Sequence, residues 1–138
     1  MSTSLIRVVR FRAEHHRALP EWSAARNREV FGPLMQSHPH DYACAITVAG
    51  VVDGRTGMLV DLTLLDQILA DEVVAQLDRK NLNRDIPFFA GGHPLPTCEA
   101  LASWLFTRVA ARLPPGVTLE RVRVEEDPTL YAECTHPD

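Results

Sequence analysis

The sequence predicts an α+β domain, a four-stranded antiparallel sheet with two helices on one face, in the order β-β-α-α-β-β. Three patterns carry that reading. Runs rich in β-branched residues lie at both ends of the chain, two apolar stripes at helical spacing lie between them, and Gly/Pro turn signals divide the segments.

Leu5 to Ala13 is short and β-branched, and reads as the first strand. From Glu14 to about Pro39 the chain contains Pro20, Gly32 and Pro33 and reads as one long loop, a kind that is usually functional. His40 to Val52 reads as the second strand, closed by Asp53-Gly54. Leu62, Leu65, Leu69, Val73 and Leu77 step by three or four, predicting a helix over 62–77. Thr97, just after Pro96, is a natural N-cap for a second helix. That helix should bury Leu101, Trp104, Leu105, Val109 and Leu113 and end at Pro114-Pro115-Gly116. Leu119, Val122 and Val124 among charged neighbours predict a half-buried strand over 118–126. A last strand covers 130–134, with a flexible tail over about 135–138 that includes His136. Such a sheet has two open edges, and pairing with copies of itself would cover them, so the expected state is a homo-oligomer.

The 138 residues form one domain, 46% hydrophobic and 23% charged. A net charge of -4 argues against nucleic acid as a partner, because phosphate binding needs clustered positive charge. The uncharged apolar stretch Tyr42 to Val52 is far short of the roughly 20 residues of a membrane span. No signal peptide is visible, and Cys44, Cys98 and Cys134 are too widely spaced for a disulfide framework. The expected location is cytoplasmic, with reduced thiols.

His38-Pro39-His40 stands at the entrance of the second strand. Residues two apart in extended chain share a face, with Cα atoms roughly 6.5 Å apart, so both imidazoles can converge on one metal ion. Histidine pairs at this spacing also occur without a metal. A third ligand has a source in His15-His16, because antiparallel pairing brings the end of strand one to the start of strand two. Those two face opposite ways if extended, so only one is a ligand. Three imidazoles with an open fourth position are the catalytic zinc arrangement.

Several motifs then occur in order: Phe11-x-Ala13-x-His15, Phe31-Gly32, His38-x-His40-x-Tyr42, Asp53-x-x-Thr56-Gly57-Met58-x-x-Asp61-Leu62, Leu77-Asp78-x-Lys80-Asn81-Leu82-Asn83, Pro96-Thr97-x-Glu99 and Val124-x-Glu126. From Phe11 to about Tyr131 the chain resembles the 6-pyruvoyl-tetrahydropterin synthase family. That family includes the bacterial 6-carboxy-tetrahydropterin synthases of queuosine-type 7-deazapurine biosynthesis. The resemblance implies the tunnelling fold, with three sheets joined into a barrel and two trimers stacked into a hexamer. It implies zinc held by His15, His38 and His40, acting on a reduced pterin such as 7,8-dihydroneopterin triphosphate. Glu126 would anchor the pterin ring, since one carboxylate can accept two adjacent N–H groups. Thr97 belongs to the same implied pocket, beside its role as N-cap, and Glu99 follows in the first helical turn, where a carboxylate is favourable in any case.

The chain departs from the family at two positions. Leu34 stands where the family has a catalytic cysteine, and Arg79 follows the retained Asp78 where the family has histidine. Leucine takes no proton, and arginine is no base at neutral pH, although it can grip a phosphate or carboxylate. Substitute bases would be Glu14, Glu29 or His93; Cys44 reads better as a small buried residue. Two functions remain open: a zinc-dependent lyase-like enzyme with altered base chemistry, side-chain cleavage being one variant, or a pterin- and zinc-binding protein without turnover. A purely structural zinc ranks below both.

Overall fold

The computed structural model describes residues 3–136. Its strands are β1 (Thr3–His15), β2 (His38–Gly50), β3 (Thr118–Asp127) and β4 (Leu130–Cys134), paired antiparallel in the order β1-β2-β3-β4. β1 runs two residues past its expected end and β2 begins two residues early, so both carry the sheet into the histidines. The expected tail begins where β4 stops, and residues 137–138 lie outside the described part.

Alternation sets one sheet face against the helices. Phe11 and Ala13 of β1, Tyr42, Cys44, Ile46 and Val48 of β2, and Val122 and Val124 of β3 are buried there. Leu119 and Val122 are three apart, an odd step that would turn one of them outward. A break in register resolves it: Leu119 pairs with Val48 and Arg121 with Thr47, leaving Glu120 without a partner, and both apolar side chains face inward.

Two findings correct the predicted element order. The long loop contains α1 (Ala24–Phe31), capped by the Ser23 side chain at Arg26 N and ended by Gly32 at φ 56, then a 3-10 turn over Gly32–Met35. Two short helices, α4 (Leu82–Asp85) and α5 (Pro87–Ala90), precede the second long helix.

The helix expected over 62–77 is α2 (Leu62–Leu69), a wide π turn (Ala70–Val74) and α3 (Ala75–Leu77). Leu65, Leu69, Val73 and Leu77 are fully buried, but Leu62 is exposed. Four-residue steps overshoot a 3.6-residue turn by about 40° each, and the wide turn takes up that drift. α6 (Cys98–Ala110) packs over β3 and β4 and buries Leu101, Leu105 and Val109; Trp104 and Leu113 are only partly covered. The face opposite the helices leaves Ile6 and Val8 exposed, beside Ala43 and Ala45. All three cysteines are free, and among the described residues no helix is long and apolar enough to cross a membrane.

Candidate metal and ligand site

Antiparallel pairing places His15 directly opposite His38, while His40 faces the same way one step further along β2. One ligand nitrogen from each of the three lies within 4.8 Å of the others. Modest ring rotations close that spread onto zinc–nitrogen bonds of about 2.0–2.1 Å.

The other ring nitrogens are engaged in ways that suit ligation. Nδ1 of His15 faces the Pro96 carbonyl at 3.1 Å, and Nδ1 of His38 faces the Gln36 carbonyl at 2.8 Å. A donated N–H at Nδ1 leaves the Nε2 lone pair free, the tautomer a metal needs. Nε2 of His15 is buried with no hydrogen-bond partner. An orphaned buried polar atom costs about 1–3 kcal/mol, and a metal bond would remove that cost. Nε2 of His40 lies 2.9 Å from Oε2 of Glu126 but off the line of a hydrogen bond, and it too lacks one. The residues fit zinc.

Burial, reinforced by His38, lowers the His15 pKa to about 4, and burial lowers that of His40 against the opposing pull of Glu126. Both rings are therefore held neutral at pH 7, the ligating form. His16 follows the end of β1 and is not one of the three clustered histidines. Its backbone N–H and C=O are both taken by the Asn83 side chain, at 2.9 and 3.0 Å, which clamps the chain leaving β1.

Glu126 is nearly buried and falls at a break in the β3–β4 register, between the Glu125–Tyr131 and Asp127–Leu130 pairs. Such irregularities re-aim side chains. Oε1 of Glu126 accepts a 3.5 Å contact from the Cys98 thiol and lies 3.9 Å from the Arg17 guanidinium. Desolvation and the Glu126 charge push Cys98 up to about 12 and Tyr42 higher still, so both stay protonated. Burial pushes Cys44, inside the core, to about 12 as well. Thr97 caps α6, its side chain accepting from Ala100 N at 3.2 Å. Glu99 is exposed on the first turn of that helix.

The remaining expected residues lie elsewhere in this chain. Glu14 points to the opposite face of β1 from His15 and meets Asn81 at 3.3 Å. Asp78 accepts from Arg12 N at 2.9 Å along the outer edge of β1. Arg79, at φ 61, donates its backbone N–H to Arg12 O there, and its side chain is solvent-exposed. Glu29 is exposed on α1, and His93 is exposed 3.1 Å from Glu21. Leu34 is exposed on the 3-10 turn, its carbonyl accepting from Arg17 N at 2.7 Å. Sequence reasoning missed Arg17, Cys98 and Asn83 as parts of the site. Arg17 had one available signal, its place two residues beyond an inward-facing ligand; Asn83 had another, its place at the end of the Leu77-to-Asn83 motif.

A four-stranded sheet backed by helices, with three inward imidazoles that could hold a metal ion beside a buried carboxylate, defines an α+β protein with a candidate metal site at the end of the sheet. The family description "6-pyruvoyl tetrahydropterin synthase" matches residues 4–137, and the chain belongs to that family. It is 35% identical over 120 residues to 6-pyruvoyl tetrahydrobiopterin synthase of Drosophila melanogaster, covering 86% of this chain and 70% of that one. It is 27% identical over 126 residues to dihydroneopterin monophosphate aldolase of Pyrococcus furiosus, covering 91% of each. The structure of Caenorhabditis elegans 6-pyruvoyl tetrahydropterin synthase superposes with a TM-score of 0.88 at 27% identity, covering 99% of this chain and 96% of that one.

Proposed function

We propose that the protein is a zinc-dependent, lyase-like enzyme acting on a reduced pterin such as 7,8-dihydroneopterin triphosphate, with zinc on His15, His38 and His40. The observation that carries this reading is the convergence of three imidazoles, one with an orphaned Nε2, beside buried Glu126. Zinc bound there would act as a Lewis acid on oxygens of the substrate side chain. Glu126 accepts the ring's adjacent N–H donors. The N-cap at Thr97 holds the start of α6, and with it Cys98, against Glu126.

Leu34 takes no proton, and Cys98 and Tyr42 are held protonated, so the family's base chemistry is altered. Asp78, Glu14 and Arg79 lie on the edge or far face of β1 and can meet a histidine centre only across a contact between copies of the chain. The exposed helix-free face and the open edge of β4 favour such a homo-oligomer, a trimer or dimer of trimers. Queuosine-type biosynthesis and a cytoplasmic location belong to the same reading.

Leu34 also favours a second reading, a pterin- and zinc-binding protein without turnover. Zinc-loaded protein incubated with 7,8-dihydroneopterin triphosphate, with products identified by mass spectrometry, separates the two. Release of triphosphate supports the synthase-type lyase. Side-chain cleavage supports an aldolase-type reaction, the activity for which the Pyrococcus furiosus relative is named. Tight binding without change supports the binding protein, and absence of binding overturns both readings.

A further inference from the structure

Arg17 has an environment unlike that of the surface arginines. Its side chain is only 28% exposed, and its Nε is fully enclosed without a hydrogen-bond partner. Among the described residues its guanidinium donates no hydrogen bond at all. Its nearest carboxylate, Glu126, is 3.9 Å away, beyond hydrogen-bond reach. Its backbone is fixed, because Arg17 N donates to the Leu34 carbonyl at 2.7 Å. A guanidinium has five donors and no acceptor, so a largely covered one with its Nε enclosed and unpaired has donors available for an oxygen partner.

We propose that Arg17 supplies the second half of the ring-reading pair: its guanidinium donates to the 4-oxo oxygen of a reduced pterin while Glu126 accepts the neighbouring N–H groups. This rests on the pterin reading above. Partners of adjacent ring atoms lie side by side, and the 3.9 Å between Arg17 Nη2 and Glu126 Oε1 suits two such partners. The neighbouring charge selects the kind of oxygen. A phosphate or carboxylate beside Glu126 would be repelled by it, whereas a ring carbonyl carries no charge. The pair thus presents a donor next to an acceptor, the complement of a lactam edge.

The test is fluorescence titration of zinc-loaded wild type, Arg17→Leu and Arg17→Gln with 7,8-dihydroneopterin and with its 2,4-diamino counterpart, in which an amino group replaces the 4-oxo oxygen. Wild type should prefer the oxo ligand. Arg17→Leu should bind that ligand about 10- to 100-fold more weakly, as expected for a hydrogen bond from a charged donor, and keep only the share of the preference that comes from the ring N–H, absent in the diamino ligand, that Glu126 accepts. Zinc content and far-UV circular dichroism should match wild type. Arg17→Gln, which keeps a neutral donor, makes the same comparison if the leucine variant misfolds, and its loss should be smaller. An unchanged oxo-to-diamino ratio in the variants overturns the role of Arg17 alone. Failure of wild type to bind the oxo ligand overturns the pterin reading and this inference with it.

Discussion

His15 and His38 oppose each other across β1 and β2, their ring centroids 4.5 Å apart and their Nδ1 atoms turned away to separate carbonyls. Strand register therefore aims two ligand nitrogens at one point before any metal binds. Because His40 completes the set, replacing any one of the three with alanine should lower zinc retained after dialysis at least tenfold. Metal analysis of the purified variants checks this, and full zinc in His15→Ala would remove it from the ligand set.

Acid should weaken the metal-free fold through His15. Its folded pKa is lowered to about 4, chiefly by burial, against an ordinary value of 6.5. Neutral His15 therefore supports the fold above about pH 6.5. As pH falls towards 4, the unfolded chain takes up a proton that the folded chain refuses, and this contribution is lost. Urea midpoints at pH 7 and pH 5 should drop further for metal-free wild type than for His15→Gln. Equal drops would assign the acid sensitivity to other groups.

Glu126→Gln keeps the side chain's shape but removes its charge and one of its acceptors. Pterin affinity should fall about 10- to 100-fold, the range for a lost hydrogen bond to a charged group. Zinc content should stay near wild type, because the three imidazoles remain. Titration calorimetry together with metal analysis distinguishes this from general damage to the site.

Asn83 replaces a missing strand partner for His16, using its amide oxygen and nitrogen at 2.9 and 3.0 Å. Asn83→Ala should leave both backbone groups of His16 unsatisfied and cost about 1–3 kcal/mol. Denaturant titration measures the loss. Zinc affinity should fall as well, because the clamp sits one residue from His15.

Much of this site was legible in the residue pattern because two-residue periodicity and antiparallel pairing are local rules. They place His38 and His40 on one face and bring strand one's end beside them. The Thr97 cap was readable for the same reason, since it needs only its own turn of helix. The helix at 24–31 was hidden by its weak apolar pattern, with Asn27 its only buried residue. Ser23 and Gly32 were the punctuation that could have revealed it.

Glu14, Glu29 and His93 were proposed from sequence proximity to motif positions, and proximity along the chain does not fix direction. Glu14 adjoins His15 and for that reason faces the other way. Arg17 shows the reverse case, a charge no pattern singled out that packing turned towards Glu126.

By itself, the order of residues determined the strands, the two apolar helical faces and the histidine spacing, because each depends on neighbours a few positions apart. Tertiary structure alone decided which nitrogen of His15 is left unpartnered, where Glu126 points, and that Arg17 lies beside it. Those relations join residues from strands and loops far apart in the chain, through carbonyls, register breaks and burial that exist only once the sheet and α6 have closed on one another.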